Sequence, residues 1–294
     1  MTINGFGARL GTALRESSPL CVGIDPSAQL LAKWGLTDEP ASLTAFGTAV
    51  LDAVQGLVAI VKPQSAFFER HGSAGIGALE RLCADARTRG LLVLLDVKRG
   101  DIGSTSQAYA QAYLSEGAPF DVDAITATPY LGVAALKPLF DEARASGRGV
   151  FVVARSSNPE GQRLQSALVE RDGADVVAHV LSEVASVNAA SAAAASAGKG
   201  ASVADPLGPV GVVYGATCET SAYDLAAVRG PILAPGLGAQ GATVDDIARR
   251  FGQCRRNVVP SASRSILAAG PDVAAMRAAT QALAAQCRGA LSGD

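Results

Sequence analysis

The chain has little histidine and no paired cysteines. Of its 294 residues only two are histidine, His71 and His179, and they lie far apart in unlike contexts. Five cysteines are scattered without any Cys-x-x-Cys spacing: Cys21, Cys83, Cys218, Cys254 and Cys287. An odd, dispersed set is typical of reduced, mostly buried thiols rather than of a disulfide framework. A metal site built on His or Cys ligands is therefore not expected, and the chemistry is expected to proceed without histidine.

Long runs of charge are also missing. Charged residues make up 18% of the chain, the net charge is −2, and no run of Lys or Arg exceeds two residues. Nucleic acid and anionic membranes are therefore not expected as partners. The first residues show no basic segment followed by an apolar core, and charge-free stretches such as Val184–Gly198 are too short to span a bilayer. The composition predicts a cytoplasmic protein.

What the chain does have is apolar sequence, at 49% of all residues. Short continuous apolar runs of this kind are typical of strands buried on both faces, as in a parallel sheet. Eight such runs follow one another along the chain: Leu20–Asp25, Leu57–Lys62, Leu91–Lys98, Ala124–Thr128, Val150–Ala154, Val210–Tyr214, Ile232–Pro235 and Asn257–Pro260.

Helical patterns separate these runs. Three of them end at a glycine, which is a common helix terminator: Ala74–Arg89 before Gly90, Val133–Ala145 before Gly147, and Val244–Phe251 before Gly252. Two longer, alanine-rich helices are predicted over Ala174–Ala197 and Val273–Leu291. About eight strand–helix units predict an α/β fold, a (β/α)8 TIM barrel that forms a single domain over residues 1–294. The small-residue segment Ala189–Pro209 is predicted to be an exposed loop or an extended helix end.

In such a barrel the chemistry lies at the C-terminal ends of the strands. Charged groups at the ends of apolar strands are costly unless they are paired or have a function. The residues at these ends are polar, charged or glycine: Asp25, Lys62, Asp96, Lys98, Thr128, Ser156, Ser157, Thr217, Gly236, Gly238, Ser263 and Arg264.

The third strand carries the strongest local signal. Asp96 and Lys98 are two residues apart, so in a regular strand both side chains point to the same face. Asp101 follows just beyond Gly100, and Lys62 ends the preceding strand. Together they predict an alternating Lys–Asp–Lys–Asp array of nearly zero net charge. On spacing alone, a structural ion-pair network at the barrel mouth remains an alternative.

The pattern Asp-x-Lys-x-x-Asp at residues 96–101 resembles the signature of the orotidine 5′-phosphate decarboxylases. The resemblance extends over nearly the whole chain, through the segments Gly23–Ser27, Val61–Pro63, Arg155–Pro159, Ala234–Gln240 and Ser263–Ser265. The length and the segment Thr128–Gly132 resemble a longer bacterial subgroup that is common in actinobacteria. Arg155 and Ser156 depart from the pattern of shorter members, which carry an acidic residue and a methionine there.

This resemblance implies a lyase that needs no metal and no cofactor. It would convert orotidine 5′-phosphate (OMP) to UMP and CO₂, the last step of de novo UMP synthesis. Lys98 would donate the proton that replaces CO₂ at C6, Asp96 would face the substrate carboxylate, and Lys62 would lie beside the ribose and this network. Asp101 and Thr105 would reach into the site of a partner subunit, which implies a homodimer with shared active sites.

The resemblance also implies contacts at the other parts of the substrate. Asp25 would bind a ribose hydroxyl, and Ser157 would recognise the pyrimidine edge, although a serine at that position could instead cap the next helix. Four residues would hold the 5′-phosphate through side chains or backbone amides: Gln240, Arg264, Gly238 and Ser265.

Two other functions compete with this one. Metal-dependent sugar-phosphate decarboxylases or aldolases of the same superfamily share the Asp-x-Lys-x-x-Asp strand, but a second lysine at position 62 would repel a divalent cation. A non-catalytic barrel that binds a phosphate ligand would not require the proton donor Lys98.

Overall fold

The eight apolar runs form eight parallel strands in the computed structural model, which describes residues 5–170, 173–196, 207–238 and 241–291. The strands are β1 (Cys21–Ile24), β2 (Ile60–Pro63), β3 (Leu92–Arg99), β4 (Ala124–Ala127), β5 (Gly149–Arg155), β6 (Val210–Tyr214), β7 (Ile232–Pro235) and β8 (Val258–Ala262). Each strand pairs with the next, and β8 pairs with β1, so the sheet closes into a barrel. The predicted (β/α)8 barrel is thereby confirmed.

Helices cover the outside of the barrel and connect its strands. Those described are α1 (Phe6–Glu16), α2 (Ala28–Lys33), α3 (Pro40–Val54), α4 (Ala66–Glu69), α5 (Gly72–Thr88), α6 (Gly103–Tyr113), α7 (Lys137–Ser146), α8 (Pro159–Gln165), α9 (Val176–Ser196), α10 (Val244–Phe251), α11 (Arg264–Leu267) and α12 (Val273–Leu291). Short 3-10 turns lie at Val133–Leu136, Leu225–Val228 and Gly252–Asn257. The helix predicted over Val133–Ala145 therefore begins as a 3-10 turn, because Pro138 at the start of α7 removes a backbone donor.

Helix α1 was not predicted, and it covers the N-terminal end of the barrel. Its apolar face (Phe6, Leu10 and Leu14) is buried against side chains inside the barrel. The Phe6 ring meets that of Phe151 edge to face, with ring centroids 5.9 Å apart. A Cβ on Gly149 would lie 2.2 Å from the Phe6 ring, so only glycine fits there. The closed end leaves the C-terminal ends of the strands as the mouth of the barrel.

Helix α9 corresponds to the helix predicted over Ala174–Ala197. It also includes the first part of the segment Ala189–Pro209, which is helical as far as Ser196, and residues 197–206 lie outside the described residues. Its stretch Val176–Ala193 has a mean hydropathy of 1.3, enough by length and composition alone to cross a membrane. On the barrel side, Val177, Val180, Leu181 and Val184 are buried in the main core, as in an outer helix of a barrel. The absence of a membrane partner stays a prediction.

The cysteines fit the prediction made for them. All five are free thiols, four are buried, and Cys218 is half-buried. Burial raises the thiol pKa of Cys21, Cys83 and Cys287 to about 12 and that of Cys254 to about 11. These four thiols stay protonated at neutral pH and pack as small apolar groups.

Candidate active site

A cluster of three charges lies at the mouth, where β2 and β3 end. Lys62 Nζ is 3.0 Å from Asp96 Oδ2, and Lys98 Nζ is 2.6 Å from Asp96 Oδ1. The Lys62 and Asp96 side chains are each 9% exposed, whereas that of Lys98 is 53% exposed. One carboxylate therefore holds one fixed cation inside the barrel and one accessible cation at its mouth.

The Asp96 carboxylate accepts from four donors, two on each oxygen. Oδ1 accepts from Lys98 Nζ and from Thr126 Oγ1 at 2.8 Å, and Oδ2 accepts from Lys62 Nζ and from Gln64 Nε2 at 3.1 Å. Burial opposes ionisation, but attraction to Lys62 and Lys98 outweighs it and lowers the pKa of Asp96 far below its ordinary value. The carboxylate is therefore negatively charged at any physiological pH.

The charge of Lys62 depends on the same two opposing effects, burial and attraction to opposite charges. Burial disfavours its charged form, but attraction to Asp96 and then to Asp25 outweighs burial and raises the pKa of Lys62 above its ordinary value. Lys62 thus remains a buried cation rather than a neutral amine.

The backbone at Lys98 differs from the regular strand assumed from the sequence. Lys98 has a φ of 45°, in the left-handed region, and the β3–β4 register shifts between Leu95 and Arg99. Lys98 and Asp96 do reach the same site, but through this bulge rather than through simple alternation. Bulges of this kind redirect a side chain, often next to an active site.

Asp101 does not join the cluster within one chain. Its Oδ1 accepts a hydrogen bond of 2.8 Å from the backbone N–H of Ile102, and it has no ion pair among the residues that the structure describes. Thr105 is exposed on the first turns of α6. The structure therefore brings three of the four predicted charged residues together and leaves Asp101 at the rim of the barrel mouth.

A cavity of about 460 Å³ opens beside the cluster. Asp25, Gln64, Asp96 and Lys98 supply its polar lining, together with residues of the β2–α4 segment. Asp25 Oδ1 is buried and has no hydrogen-bond partner among the described residues, and the same holds for Ser263 Oγ nearby. Buried polar atoms without partners are rare, so these two indicate a site for a polar ligand.

A second cavity of about 270 Å³ lies where β5 and β6 end. Ser157 lines it with Arg155, Ser156, Thr217 and Cys218 among others. Gln165 of α8 holds the loop: its Oε1 accepts from Ser156 N–H at 3.2 Å, and its Nε2 donates to Ser156 Oγ at 2.7 Å. Among the described residues, the Asn158 side chain accepts no capping bond from the backbone of α8, and its Nδ2 instead donates to Glu160 Oε2 at 2.9 Å.

The ends of β7 and β8 bring Gly238 and Ser265 together. Gly238 has a φ of 73°, which favours glycine, and a Cβ placed on it would be 3.5 Å from Ser265 Cβ. Arg264 begins α11, is exposed, and has no ion pair within the described ranges. Gln240, predicted to contact the same group, lies outside the described residues.

Comparison with known proteins matches this arrangement to one family. The model of the orotidine 5′-phosphate decarboxylase / HUMPS family matches residues 18–279. The chain belongs to this family.

Individual relatives of this family are similar over nearly the full length. An orotidine 5′-phosphate decarboxylase from Salinispora arenicola is 53% identical over 99% of this chain and 100% of its own length. One from Streptomyces coelicolor is 50% identical over 98% and 99%. The crystal structure of a candidate orotidine 5′-phosphate decarboxylase from Streptomyces avermitilis has a TM-score of 0.92 and 48% identity, over 100% of this chain and 98% of that one. The resemblance to the actinobacterial subgroup is thus confirmed, and the chain is a carboxy-lyase of the decarboxylase family.

Two residues that donate to Asp96 in the charged cluster were not predicted from the sequence. Gln64 lies two residues beyond Lys62, and Thr126 lies inside β4, two residues before Thr128, the residue at the end of the predicted apolar run. A single hydroxyl within a buried apolar run was the available signal for Thr126. Gln64 offered none, because one amide after a strand is common.

Proposed function

We propose that this chain decarboxylates orotidine 5′-phosphate to UMP and CO₂, the last step of de novo pyrimidine nucleotide synthesis, without metal or cofactor. The observation that carries the proposal is the Lys62–Asp96–Lys98 cluster beside an open cavity, in a chain half identical to enzymes that bear this name. A structural ion-pair network would have no need of a half-exposed lysine facing that cavity.

Lys98 supplies the chemistry in this proposal. Loss of CO₂ from C6 of the pyrimidine leaves negative charge on an sp² carbon that the ring cannot delocalise well. An ammonium fixed beside that carbon stabilises the developing anion more than it stabilises the bound carboxylate, and it then delivers the proton to C6. The 53% exposed side chain of Lys98 leaves this ammonium accessible to a substrate in the cavity.

Asp96 and Lys62 determine the electrostatic surroundings of the Lys98 ammonium. Because the Asp96 carboxylate is ionised and bound by four donors, it cannot turn away from a substrate carboxylate placed against it. Lys62 neutralises part of its charge from the buried side, next to the expected position of the ribose. Asp25, whose buried Oδ1 lacks a partner among the described residues, binds a ribose hydroxyl.

The far ends of the substrate are held by the other strands. Ser157 recognises the pyrimidine edge from the end of β5, where Gln165 orders the neighbouring Ser156. The 5′-phosphate is bound by Arg264 and by backbone amides near Gly238 and Ser265, with Gln240 as a further contact. Phosphate binding at the ends of strands seven and eight is frequent in TIM barrels.

The active enzyme is a homodimer with shared sites in this proposal. Asp101 lies at the rim without an ion pair among the described residues, and three large apolar side chains flank this rim: Ile102 is 61% exposed, Leu131 is 53% exposed and Tyr130 is 77% exposed. The segments that carry them meet where Gly100 packs on the Thr128 carbonyl. A second copy would cover this apolar surface and receive Asp101 and Thr105 next to its own Lys98.

A direct absorbance assay with OMP tests the proposal. The purified chain should convert OMP to UMP, and exhaustive treatment with EDTA should leave the rate unchanged. The Lys98→Ala variant, prepared in parallel, controls for contaminating activity. An activity that is lost with EDTA and restored by Mg²⁺, or turnover of a sugar phosphate but not of OMP, would assign the chain to the metal-dependent branch. Binding of OMP without turnover would support the phosphate-binding barrel.

A further inference from the structure

Lys98 adopts a left-handed backbone conformation, which a lysine does not favour. A φ of 45° is uncommon for a residue with a side chain, and it persists only where neighbouring groups determine it. At the proposed proton donor, a contact from a neighbouring strand maintains this conformation.

Thr126 makes that contact from the adjacent strand β4. Its Oγ1 accepts a hydrogen bond of 2.9 Å from the Lys98 backbone N–H and lies 2.8 Å from Asp96 Oδ1. Since an ionised carboxylate only accepts, the Thr126 hydroxyl must donate to Asp96 and accept from Lys98. With the bond from Lys98 Nζ to the same Oδ1, the three residues form a closed ring of hydrogen bonds.

Thr126 does this from behind the site. It is 1% exposed, and it does not belong to the lining of the cavity beside Lys98. It therefore does not touch a ligand in that cavity, and any effect on the reaction must pass through Lys98 and Asp96.

We infer that Thr126 is a positioning residue, whose hydroxyl couples the left-handed backbone of Lys98 to the orientation of the Asp96 carboxylate. The inference rests on the proposed decarboxylase function. Without the hydroxyl, the partly buried Lys98 N–H loses its acceptor and Asp96 loses one of four donors, so the bulge relaxes and the ammonium shifts relative to C6. Small displacements of a reacting group lower the rate steeply while binding contacts elsewhere stay in place.

The test compares Thr126→Val, which keeps the shape and removes the hydroxyl, with Thr126→Ser, which keeps the hydroxyl. With OMP as substrate, Thr126→Val should lower kcat on the order of 100-fold while KM and the affinity for UMP stay within about threefold. Thr126→Ser should retain kcat within about threefold. Thr126→Ala should lower kcat as Thr126→Val does, and it takes the place of that variant if valine prevents folding.

A double-mutant cycle separates positioning from general destabilisation. In an Asp96→Asn background, the further change Thr126→Val should lower the residual kcat by much less than it does in the wild type, because the two residues act as one unit. The inference is overturned if Thr126→Val retains normal kcat, or if Thr126→Ser lowers kcat as much as Thr126→Val does. It is also overturned if the effects of Thr126→Val and Asp96→Asn on kcat are additive in free energy. The wild type is assayed alongside: if it does not turn over OMP, the proposed function fails and this inference with it, whereas an active wild type with an equally active Thr126→Val removes only the inference.

Discussion

The two sides of the barrel mouth are built differently. On the β2–β3 side, the charged groups Lys62, Asp96 and Lys98 satisfy one another at 2.6–3.0 Å. On the β7–β8 side, Arg264 is exposed and has no ion pair within the described ranges, and the chain turns through left-handed glycines at 236 and 238. One side is organised by contacts within the chain, and the other side carries a cation that has no ion pair among the described residues.

This difference follows what each side is proposed to do. A reacting centre gains from charges that need no rearrangement in the transition state. A phosphate-binding side gains from contacts that form on binding and help the site to close. Substitutions on the first side should therefore lower kcat, and substitutions on the second should mainly raise KM.

The largest effect is expected at Lys98. Lys98→Ala removes both the proposed proton donor and the accessible cation, so kcat for OMP should fall by at least about 10³-fold, while the protein stays folded and keeps the oligomeric state of the wild type. Circular dichroism and gel filtration check the fold and the proposed dimer. Lys137→Ala, which removes an exposed lysine paired with Asp141 on α7, is the matched control and should keep full activity. Near-normal turnover of Lys98→Ala would refute the mechanism.

A subunit-mixing experiment tests whether the organised side is complete in one chain. Lys98→Ala and Asp101→Ala homodimers should each be inactive. After they are dissociated together and reassociated, one site of each mixed dimer collects both lesions and the other has neither. Random pairing makes half of the dimers mixed, so roughly a quarter of all sites should regain activity. If exchange is verified and no activity returns, Asp101 does not serve the partner's site, although the decarboxylase assignment would stand.

On the opposite side, Arg264→Ala should act mainly on binding. Loss of one charged contact to phosphate corresponds to a rise in KM of about 10- to 100-fold, with a smaller change in kcat. Inorganic phosphate should inhibit the wild type more strongly than the variant. Arg249→Ala, at a surface arginine of α10 paired with Asp246, should change neither constant. A loss confined to kcat would remove the proposed division between the two sides.

The smallest effect concerns stability against pH. The folded-state pKa of Asp96 lies below its unfolded value, which is near 3.9. Its ionised form therefore contributes stability above about pH 4, and this contribution is lost as the pH falls further. Denaturant titrations from pH 7 to pH 3 should show the free energy of unfolding of the wild type falling more steeply below about pH 4 than that of Asp96→Asn. Parallel curves would mean that the carboxylate is not stabilised by its partners in the folded state.

Much of this architecture could be predicted from the sequence. Buried parallel strands are continuous apolar runs, so all eight strands were located, and the bounds of α10 and α12 were predicted to the residue. Helix α1 was missed because its role depends on the open end of a barrel that forms only when distant strands close. Asp25, Lys62 and Asp96 were recognisable because charge at the end of an apolar strand is unusual.

The parts of the site that were not predicted depend on contacts between strands. The bulge at Lys98 is maintained by Thr126, which lies 28 residues further along the chain, and no local pattern reports such a bond. Gln64 likewise becomes informative only when its amide is seen to lie on Asp96. The spacing of the charges favoured a single array of four. Only the family resemblance implied that Asp101 is separated from the Lys98 of its own chain.

The burial of the cysteines makes the protein convenient for chemical labelling. Four thiols are buried, while Cys218 alone among the five is half-buried, in the cavity at the ends of β5 and β6, where burial also raises its thiol pKa. Its Sγ lies 3.5 Å from the Ser156 carbonyl, next to Ser157. At a pH above neutral, where more of its thiol ionises, a maleimide fluorophore should therefore attach first at Cys218, without prior removal of the other cysteines. A dye at that position would report on the loop expected to receive the pyrimidine, and so would give an optical signal for ligand binding that does not depend on turnover.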